Sequence, residues 1–325
     1  MHKIKAILEA LAVGDAMGMP TEFMTQEDIN TIFPPITALL DPKLSYTHND
    51  LPFASVTDDT EQNLYLAKAY VEAGEITIEH SADALSRWIV ECDAVAKKYI
   101  GPSSLKALNA IRDGVDVMEA GKSGTTNGGI MRTPALVLCA GNCDEDGLLE
   151  AVRRGCIPTH HTSQAIEAAA GYGFALRAAM EGKTLEEILF AAKYGAEKGL
   201  RSVEYVAAAP TCARRLDHIR AMEYTDEQKL REDLYYVYGT GLASIDVFAA
   251  VMAIFAMKKA DVFGAICLAA SLGGDTDTIG ALVGALCAAY AGDHNIPESV
   301  LSPVLEENHL DLETLSRSIR STFWK

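Results

Sequence analysis

Two short acidic segments of the sequence lie at the predicted starts of apolar helices. SVTDDTEQ contains Asp58 and Asp59, and GGDTDTIG contains Asp275 and Asp277. No Lys or Arg occurs within eight residues of either pair. Thr and Asp at a helix start accept hydrogen bonds from its free N–H groups, so capping explains each segment taken alone. One or two acceptors suffice for a cap, however, and both segments offer more.

Taken together, the four carboxylates indicate a metal site. Carboxylates beside apolar helices repel one another and resist desolvation when no cation is near. A divalent cation removes both costs, and Thr57 and Thr278 can add hydroxyl or carbonyl oxygens. An all-oxygen set favours Mg²⁺, Mn²⁺ or Ca²⁺ over zinc or copper, and four carboxylates are enough to hold two ions. If the segments share one site, residues 57 and 277 meet in space and the chain forms one domain.

The composition narrows the class of protein. The 325 residues are 49% hydrophobic and 22% charged, which predicts a globular fold with a large core. The net charge of -17 argues against nucleic acid or an anionic membrane surface as a partner, because both favour clustered Lys and Arg. No apolar stretch is long enough to predict a membrane span. The seven cysteines form no CxxC pair, which predicts free thiols and a cytoplasmic location.

Helical periodicity dominates the chain. Segments such as TEQNLYLAKAYVEAG and ASIDVFAAVMAIFAMKKA carry apolar residues at helical spacing, and the sequence lacks alternating strand patterns. We predict an all-α fold of about a dozen helices in a single domain, residues 1–325. Residues 33–56 contain four prolines and predict a long functional loop. Residues 209–233 are strongly charged and predict a surface insertion or helical hairpin.

Five motifs occur along the chain in this order: GDAMGMPTEF, SVTDDT, TNGGIMR, PTHHTSQA and GGDTDTIGALVGAL. In order and approximate spacing they resemble the ADP-ribosylglycohydrolase family, over residues 4 to about 290. The resemblance implies an orthogonal multi-helix bundle with a centre of two Mg²⁺ or Mn²⁺ ions. It also implies hydrolysis of the bond between C1 of a distal ribose and an acceptor side chain. The substrate then contains ADP-ribose, as an ADP-ribosylated protein does.

The resemblance assigns candidate roles to particular residues. It places the metal ligands at Thr57, Asp58, Asp59, Asp275, Asp277 and Thr278. It places the loop around the diphosphate and distal ribose at Gly124, Thr125, Asn127 and Gly128. It matches His160 to a histidine that contacts the ligand. Glu22 matches a glutamate that lies near the reacting ribose in the serine-directed enzymes.

A mechanism follows as a hypothesis. Cleavage at C1 of a ribose passes through an oxocarbenium-like state. Two cations can bind the ribose 2- and 3-hydroxyls and lower the pKa of a water, and a carboxylate deprotonates that water or protonates the leaving group. The candidates for this catalytic carboxylate, with acid and base unassigned, are Glu22, Asp58, Asp59 and Asp275.

Several neighbouring residues receive structural expectations. Asp15 is expected to support the metal ligands from behind, and Gly18 is expected to permit close helix packing. His48, in the proline-rich loop, is expected to be exposed to solvent. A solvated helix face is expected for three arginines of the charged segment: Arg214, Arg215 and Arg220.

Other functions remain as alternatives. GKSGTTNGG is not a nucleotide P-loop, because Asp116 stands where that motif requires glycine and the preceding segment is helical. A phosphohydrolase that cleaves the diphosphate lacks support, since its usual His-Asp or Glu-x-x-Glu signatures are missing. A glycosidase of small ADP-ribosyl compounds or other ribosyl N-glycosides stays open, and so does a non-catalytic structural protein. The motifs leave the acceptor and the oligomeric state open.

Overall fold

The computed structural model describes residues 2–204, 206 and 208–324. Over those residues the chain is helical, with one isolated β-bridge between Thr126 and Ala243 and no strand, which confirms the predicted all-α class. No helix of the described residues is long and apolar enough to cross a membrane.

The helices of the amino-terminal half are α1 His2–Gly18, α2 Gln26–Ile32, α3 Asp58–Ala73, α4 Ile78–Glu91, α5 Pro102–Arg112, α6 Val117–Ala120, α7 Gly128–Met131, α8 Thr133–Ala140 and α9 Glu145–Cys156. Those of the carboxyl-terminal half are α10 Ser163–Met180, α11 Leu185–Arg201, α12 Cys212–Ala221, α13 Glu227–Asp233, α14 Ser244–Lys258, α15 Val262–Ala270, α16 Thr276–Ala291, α17 Glu298–Glu307 and α18 Leu312–Phe323. Single 3-10 turns cover Met19–Thr21 and Pro42–Leu44, and a π-helical turn covers Leu234–Tyr238. The predicted number of helices, about a dozen, was too low, because helices as short as α6 and α7 do not show a helical period in the sequence.

Helices α1 and α16 form an antiparallel pair at the centre of the fold. Their backbones approach so closely that a Cβ on Gly14 would collide with the carbonyl of Gly280, and one on Gly18 with the backbone of Thr276 and Asp277. Small residues four apart on each helix therefore permit the contact, as expected for Gly18. The pair brings the carboxyl-terminal end of α1 beside the amino-terminal end of α16.

The remaining helices surround this pair. Helices α10, α14 and α15 pack on α16, while α17 and α18 return to pack on α1. Most of α14 and α16 is buried and apolar, so the core lies around their lengths. Helix α3 packs on α1, α8 and α18, and its first turn points toward the start of α16. The two acidic segments are thus the amino-terminal ends of two core helices.

The long loop before α3 differs from one of the sequence-based expectations. Residues 33–56 contain only the 3-10 turn, as predicted for a loop, but His48 within it is 3% exposed. The expectation that His48 faces solvent was wrong, because its imidazole hydrogen-bonds to the buried Glu22. Ser45 Oγ accepts a hydrogen bond from the His48 N–H at 3.0 Å and holds this turn of the loop.

The charged segment folds as helices α12 and α13, as expected for a helical hairpin. Two of its arginines form ion pairs with other elements: Arg215 with Asp246 of α14, and Arg220 with Glu186 of α11. Arg215 is only partly exposed, so its side chain packs between helices and does not belong to a fully solvated face.

Candidate metal centre

The two acidic segments meet in space at the junction of α1, α3 and α16. Thr57 Oγ1 lies 3.4 Å from Asp277 Oδ2, and Thr278 Oγ1 donates to Asp59 Oδ2 at 3.1 Å. These contacts join residues that are about two hundred positions apart in the sequence. The meeting of residues 57 and 277, on which the predicted shared site depended, is confirmed.

Six carboxylates, called the acidic cluster below, lie at this junction and are all at most 8% exposed: Asp15, Glu22, Asp58, Asp59, Asp275 and Asp277. Among the ion pairs of the described residues, the cluster takes part in one, between Glu22 and His48. A buried carboxylate without a compensating charge is strongly unfavourable in its ionised form. In its ionised form the cluster is therefore a concentration of negative charge that the surrounding protein does not neutralise.

Asp15 of α1 lies behind the other carboxylates, as expected. Its two oxygens accept hydrogen bonds from the backbone N–H groups of Thr57 and Thr60, at 3.0 and 2.9 Å. They also accept from both threonine hydroxyls, at 2.7 and 2.6 Å. Asp15 thus satisfies two backbone N–H groups at the start of α3, so that Asp58 and Asp59 are not needed to cap them.

The donor set fits a hard divalent cation. Oxygens of Asp15, Asp59 and Asp277 lie within 4.8 Å of one another, and a second group of three atoms comes from Glu22, His48 and Asp277. Asp59 Oδ1 is buried and has no hydrogen-bond partner among the described residues. A buried carboxylate oxygen without a partner is the feature that a coordinated cation would satisfy.

Not every predicted ligand belongs to these two groups. Asp58 Oδ2 accepts a hydrogen bond from Gln62 Nε2 at 3.1 Å, and Asp275 Oδ2 accepts one from the Asn127 amide. Asp277 is the residue that both groups share. The predicted set is therefore brought together in one place, with Asp59 and Asp277 at its centre and the other two aspartates held by amides.

Burial dominates the electrostatics of the cluster. It raises the pKa of Asp58, Asp59 and Asp275 well above the usual range, and the nearby charge of Asp277 adds to the effect. The same two causes raise the pKa of Asp15 and of Glu22 to about 7. Without a cation these five carboxyl groups therefore hold protons near neutral pH, and a bound cation would favour their ionised forms instead.

Glu22 follows the 3-10 turn at the end of α1, and the proline-rich loop covers it. The His48 imidazole bonds to Glu22 Oε2, and Thr47 Oγ1 lies 3.5 Å from the same oxygen. Sequence reasoning missed this partner, because the contact depends on the path of a loop that carries no periodic signal. The sequence feature that could have indicated this contact is the length of the loop, because long loops in compact domains are usually functional.

The glycine-rich loop before α7 contacts the acidic cluster through Asn127. Its amide donates to Thr278 Oγ1 at 3.0 Å as well as to Asp275. Ser244, at the start of α14, anchors the loop by donating its hydroxyl to the Thr126 carbonyl at 2.6 Å. Asn127 is thus the loop residue that contacts the site, and the ligand-binding role that the resemblance implies for Gly124, Thr125, Asn127 and Gly128 stays a prediction.

His160 does not face open space in this structure. It is fully buried, and both ring nitrogens have hydroxyl partners: Thr126 Oγ1 at 2.9 Å and Thr159 Oγ1 at 2.8 Å. Gly128 lies against the ring, where a Cβ would collide with it. His160 is therefore positioned beneath the loop, and its expected direct contact with a ligand stays a prediction.

Comparisons with known proteins agree with this fold. A sequence profile of the ADP-ribosylglycohydrolase family matches residues 1–324. The uncharacterized protein YegU of Escherichia coli (strain K12) is 31% identical over 98% of this chain and 97% of its own length. ADP-ribosylarginine hydrolase Tri1 of Pseudomonas putida (strain GB-1) is 26% identical over 95% of this chain and 76% of its own.

The solved structures show the same architecture. A chain of an ADP-ribosylglycohydrolase-related protein complex superimposes with a TM-score of 0.69 at 26% identity, covering 99% of this chain and 98% of the other. The fold and the buried acidic cluster define a helical hydrolase class. The chain belongs to the ADP-ribosylglycohydrolase family.

Proposed function

We propose that this protein is a metal-dependent hydrolase that cleaves the glycosidic bond at C1 of the distal ribose in ADP-ribosylated substrates and releases ADP-ribose. The observation that carries the proposal is the convergence of Asp58 and Asp59 with Asp275 and Asp277 in one buried, uncompensated cluster. The similarity to a protein named as an ADP-ribosylarginine hydrolase supports the substrate class.

Two divalent cations, Mg²⁺ or Mn²⁺, are the proposed cofactors, held by Thr57, Asp58, Asp59, Asp275, Asp277 and Thr278. When bound, such ions fix sugar hydroxyls and lower the pKa of a water at the site. The hydroxyls of Thr57 and Thr278 already bridge the two acidic segments, at 3.4 and 3.1 Å from Asp277 and Asp59. These contacts connect the first turns of α3 and α16, so that candidate metal ligands from both helices face the same space.

Glu22 is the proposed proton carrier. Its pKa of about 7, raised by burial and by the charge of Asp277, allows it to hold or release a proton at neutral pH. The imidazole of His48 fixes Glu22 Oε2, so the carboxyl group keeps one orientation. The Asn127 amide orients Asp275 in the same way, through a hydrogen bond to its Oδ2.

The burial of the site also favours the alternative of a small substrate. The four aspartates of the two segments are at most 8% exposed, and the loop that carries His48 covers Glu22. A small ADP-ribosyl compound or another ribosyl N-glycoside needs less space at such a site than an ADP-ribosylated protein does. A non-catalytic role is less well supported, because a scaffold gains no stability from buried carboxylates that lack partners.

One assay separates these functions. The purified protein is incubated with arginine-linked and serine-linked ADP-ribosylated peptides and with free ADP-ribosyl compounds, in Mg²⁺, Mn²⁺ or chelator, and the products are identified by mass spectrometry. We expect metal-dependent release of ADP-ribose. Turnover of small compounds alone would select the alternative, and turnover that persists in chelator would contradict the metal-dependent mechanism.

We further propose a cytoplasmic location and a single domain. All seven cysteines are free thiols, which fits a reducing compartment. Helices α1, α16 and α18 pack together although they come from opposite ends of the chain, which fits one continuous core.

A further inference from the structure

Four residues lead the chain from the proline-rich loop into the candidate metal centre. These residues, 54–57, are all at most 7% exposed, and Thr57 at their end is a proposed metal ligand. Asp15 binds the Thr57 N–H and hydroxyl from the side of α1. A second side chain, that of Asn308, binds the backbone just before Thr57. The position of Thr57 therefore depends on two side chains that come from opposite ends of the sequence.

Asn308 directly follows α17 and uses both polar atoms of its side chain. Its Oδ1 accepts a hydrogen bond from the Val56 N–H at 3.0 Å, and its Nδ2 donates to the Ala54 carbonyl at 2.8 Å. The same Nδ2 donates to the Val304 carbonyl, one turn back in α17, at 2.8 Å. The amide thus joins the last turn of α17 to the backbone before α3, and this arrangement is called the Asn308 clamp below.

Ala54 has a backbone conformation that requires support from its surroundings. Its φ of 65° lies in the left-handed region, which is unfavourable for a residue with a Cβ. Such a conformation persists where neighbouring contacts hold it, and the bond from Asn308 to the Ala54 carbonyl is one of these contacts. Without that bond Ala54 is free to return to a favourable conformation, which would redirect the chain on its way to Thr57.

A cavity borders the same segment on the side of α18. It has a volume of about 670 Å³, lies between α3 and α18, and its lining includes Ser55, Val56 and Asn308. Atoms beside a cavity lack some of the neighbours that fix side chains in a close-packed interior. The hydrogen bonds of the Asn308 clamp therefore hold the segment on the side where packing does not.

We infer that Asn308 is a positioning residue of the candidate metal centre, which acts on Thr57 through residues 54–56. The inference rests on the proposed function, which makes Thr57 and Asp58 metal ligands. It gives a role in metal binding to the turn after α17, which lies beyond the last of the five sequence motifs.

The clamp itself is tested without metal. Hydrogen–deuterium exchange of the full chain in chelator, followed by mass spectrometry of peptides, measures the protection of residues 54–57. In Asn308→Ala these residues should exchange at least about tenfold faster than in wild type, because the Val56 N–H loses its acceptor. Unchanged exchange would overturn the inference, whatever the protein does with metal.

Asn295→Ala is the matched control. The Asn295 amide also joins separate elements, because its Oδ1 accepts from the Phe263 N–H at 2.8 Å and its Nδ2 donates to Asp261 Oδ1 at 2.9 Å. None of these three residues belongs to the acidic cluster. Asn295→Ala should lower the midpoint of urea unfolding, as Asn308→Ala should, and leave the exchange of residues 54–57 unchanged.

Calorimetry with Mn²⁺ tests the positioning role. Asn308→Ala should weaken Mn²⁺ binding by about tenfold or more, whereas Asn295→Ala should bind within about twofold of wild type. Glycine adopts a positive φ without strain, so adding Ala54→Gly to Asn308→Ala should recover part of the lost affinity. A loss of stability at α17 alone would not respond to a change at Ala54.

The outcomes separate the inference from the proposed function. If wild type does not bind Mn²⁺, the proposed metal centre fails and the positioning role fails with it. Wild-type binding that Asn308→Ala leaves unchanged overturns the positioning role alone, and so does an equal loss of affinity in Asn295→Ala. If Asn308→Ala does not fold, Asn308→Asp, which keeps an acceptor for the Val56 N–H and lacks the donor to Ala54, decides the inference by the same measurements.

Discussion

Helices α9, α10 and α11 begin with an Asp or Thr that bonds to its own helix, whereas α3 and α16 begin with the same residue types and do not. Asp144 accepts from the Gly147 N–H at 2.8 Å, and Thr162 and Thr184 form equivalent caps. At α3 and α16 the N-cap residues are Thr57 and Asp275, and neither side chain caps its helix. Their hydrogen bonds run across to other elements instead.

The difference shows what distinguishes a cap from a site. A capping side chain satisfies one orphan N–H of its own helix, whether it is exposed, as Asp144 is, or buried, as Thr162 is. At α3 two N–H groups, those of Thr57 and Thr60, are satisfied from outside by Asp15, and Asp58 and Asp59 remain available to the acidic cluster. Capping and ligand binding thus compete for the same residue types, and tertiary contacts decide between them.

The largest expected effect comes from removing the carboxylate that both groups of the candidate metal centre share. Asp277→Ala should lower turnover by on the order of 10³-fold or more and abolish Mn²⁺ binding, because both groups lose a ligand. Its stability without metal should not fall, since a source of repulsion is removed. Steady-state kinetics, calorimetry with Mn²⁺ and circular dichroism measure the three quantities.

The matched control for Asp277→Ala is Asp144→Ala, at the capped start of α9. It should leave turnover and Mn²⁺ affinity unchanged and lower the free energy of unfolding by about 1 kcal/mol. Wild-type turnover in Asp277→Ala, or lost turnover in Asp144→Ala, would contradict the distinction between the two kinds of helix start.

Removing the metal should change how stability depends on pH. The pKa values of Asp15 and Glu22, about 7 in the folded chain, are raised above those of the unfolded chain. Between about pH 4 and pH 7 the folded, metal-free protein therefore binds more protons than the unfolded chain, and its unfolding free energy falls as pH rises.

Added Mg²⁺ or Mn²⁺ should reverse the trend, because protons compete with the cation for the same carboxylates. At a concentration about 100 times its Kd, the cation should add about 2.7 kcal/mol to the free energy of unfolding. Thermal unfolding with chelator and with Mn²⁺, at pH 5, 6, 7 and 8, measures both effects. Equal melting temperatures with and without metal at pH 8 would contradict the metal centre.

A smaller effect is expected at Asp15, which holds the start of α3 without belonging to either acidic segment. Asp15→Asn replaces one acceptor oxygen by an amide donor, so some of the bonds from Thr57 and Thr60 are lost. Both Asp15 oxygens already accept these hydrogen bonds, so although one lies within reach of the candidate centre, we expect Asp15 to position the other ligands. The loss of such a positioning residue weakens metal binding by about 10- to 100-fold. Calorimetry with Mn²⁺ measures the loss, and Asp311→Asn, at the capped and exposed start of α18, is the matched control. Equal affinities in the two variants would show that Asp15 plays no part in the centre.

Much of the fold and of the site could be predicted from local features of the sequence. The all-α class follows from helical periodicity, which is a local property. The meeting of residues 57 and 277 was inferred from two acidic segments that lacked cations and from the family resemblance. Both inferences used information contained in short segments and in their order along the chain.

The parts that failed depend on contacts between distant residues. His48 was expected to be exposed, because nothing in its own segment indicates that the loop folds back onto Glu22. The ligand contact that the resemblance implies for His160 stays a prediction, but no local pattern indicated that its ring is enclosed between Thr126 and Thr159. A hydrogen-bond network of this kind is decided by the packing of α7, α8 and α10, and a single sequence does not display that packing.

The smallest expected effect is at a helix cap that lies outside the candidate metal centre, where only the free energy of unfolding should change. Thr184 and Glu187 form a capping box at the start of α11, in which each side chain bonds to the backbone N–H of the other. Thr184→Ala should lower the free energy of unfolding by about 1 kcal/mol, measured by urea denaturation, and leave turnover and Mn²⁺ affinity unchanged.

Thr57→Ala changes the same residue type at the same helix position, yet it removes a bond to Asp15 and a contact with Asp277. It should therefore lower Mn²⁺ affinity. If Thr184→Ala and Thr57→Ala both lower the free energy of unfolding and both keep wild-type Mn²⁺ affinity, Thr57 is only a structural residue of α3. The metal centre then depends on the carboxylates and not on the Thr57 hydroxyl.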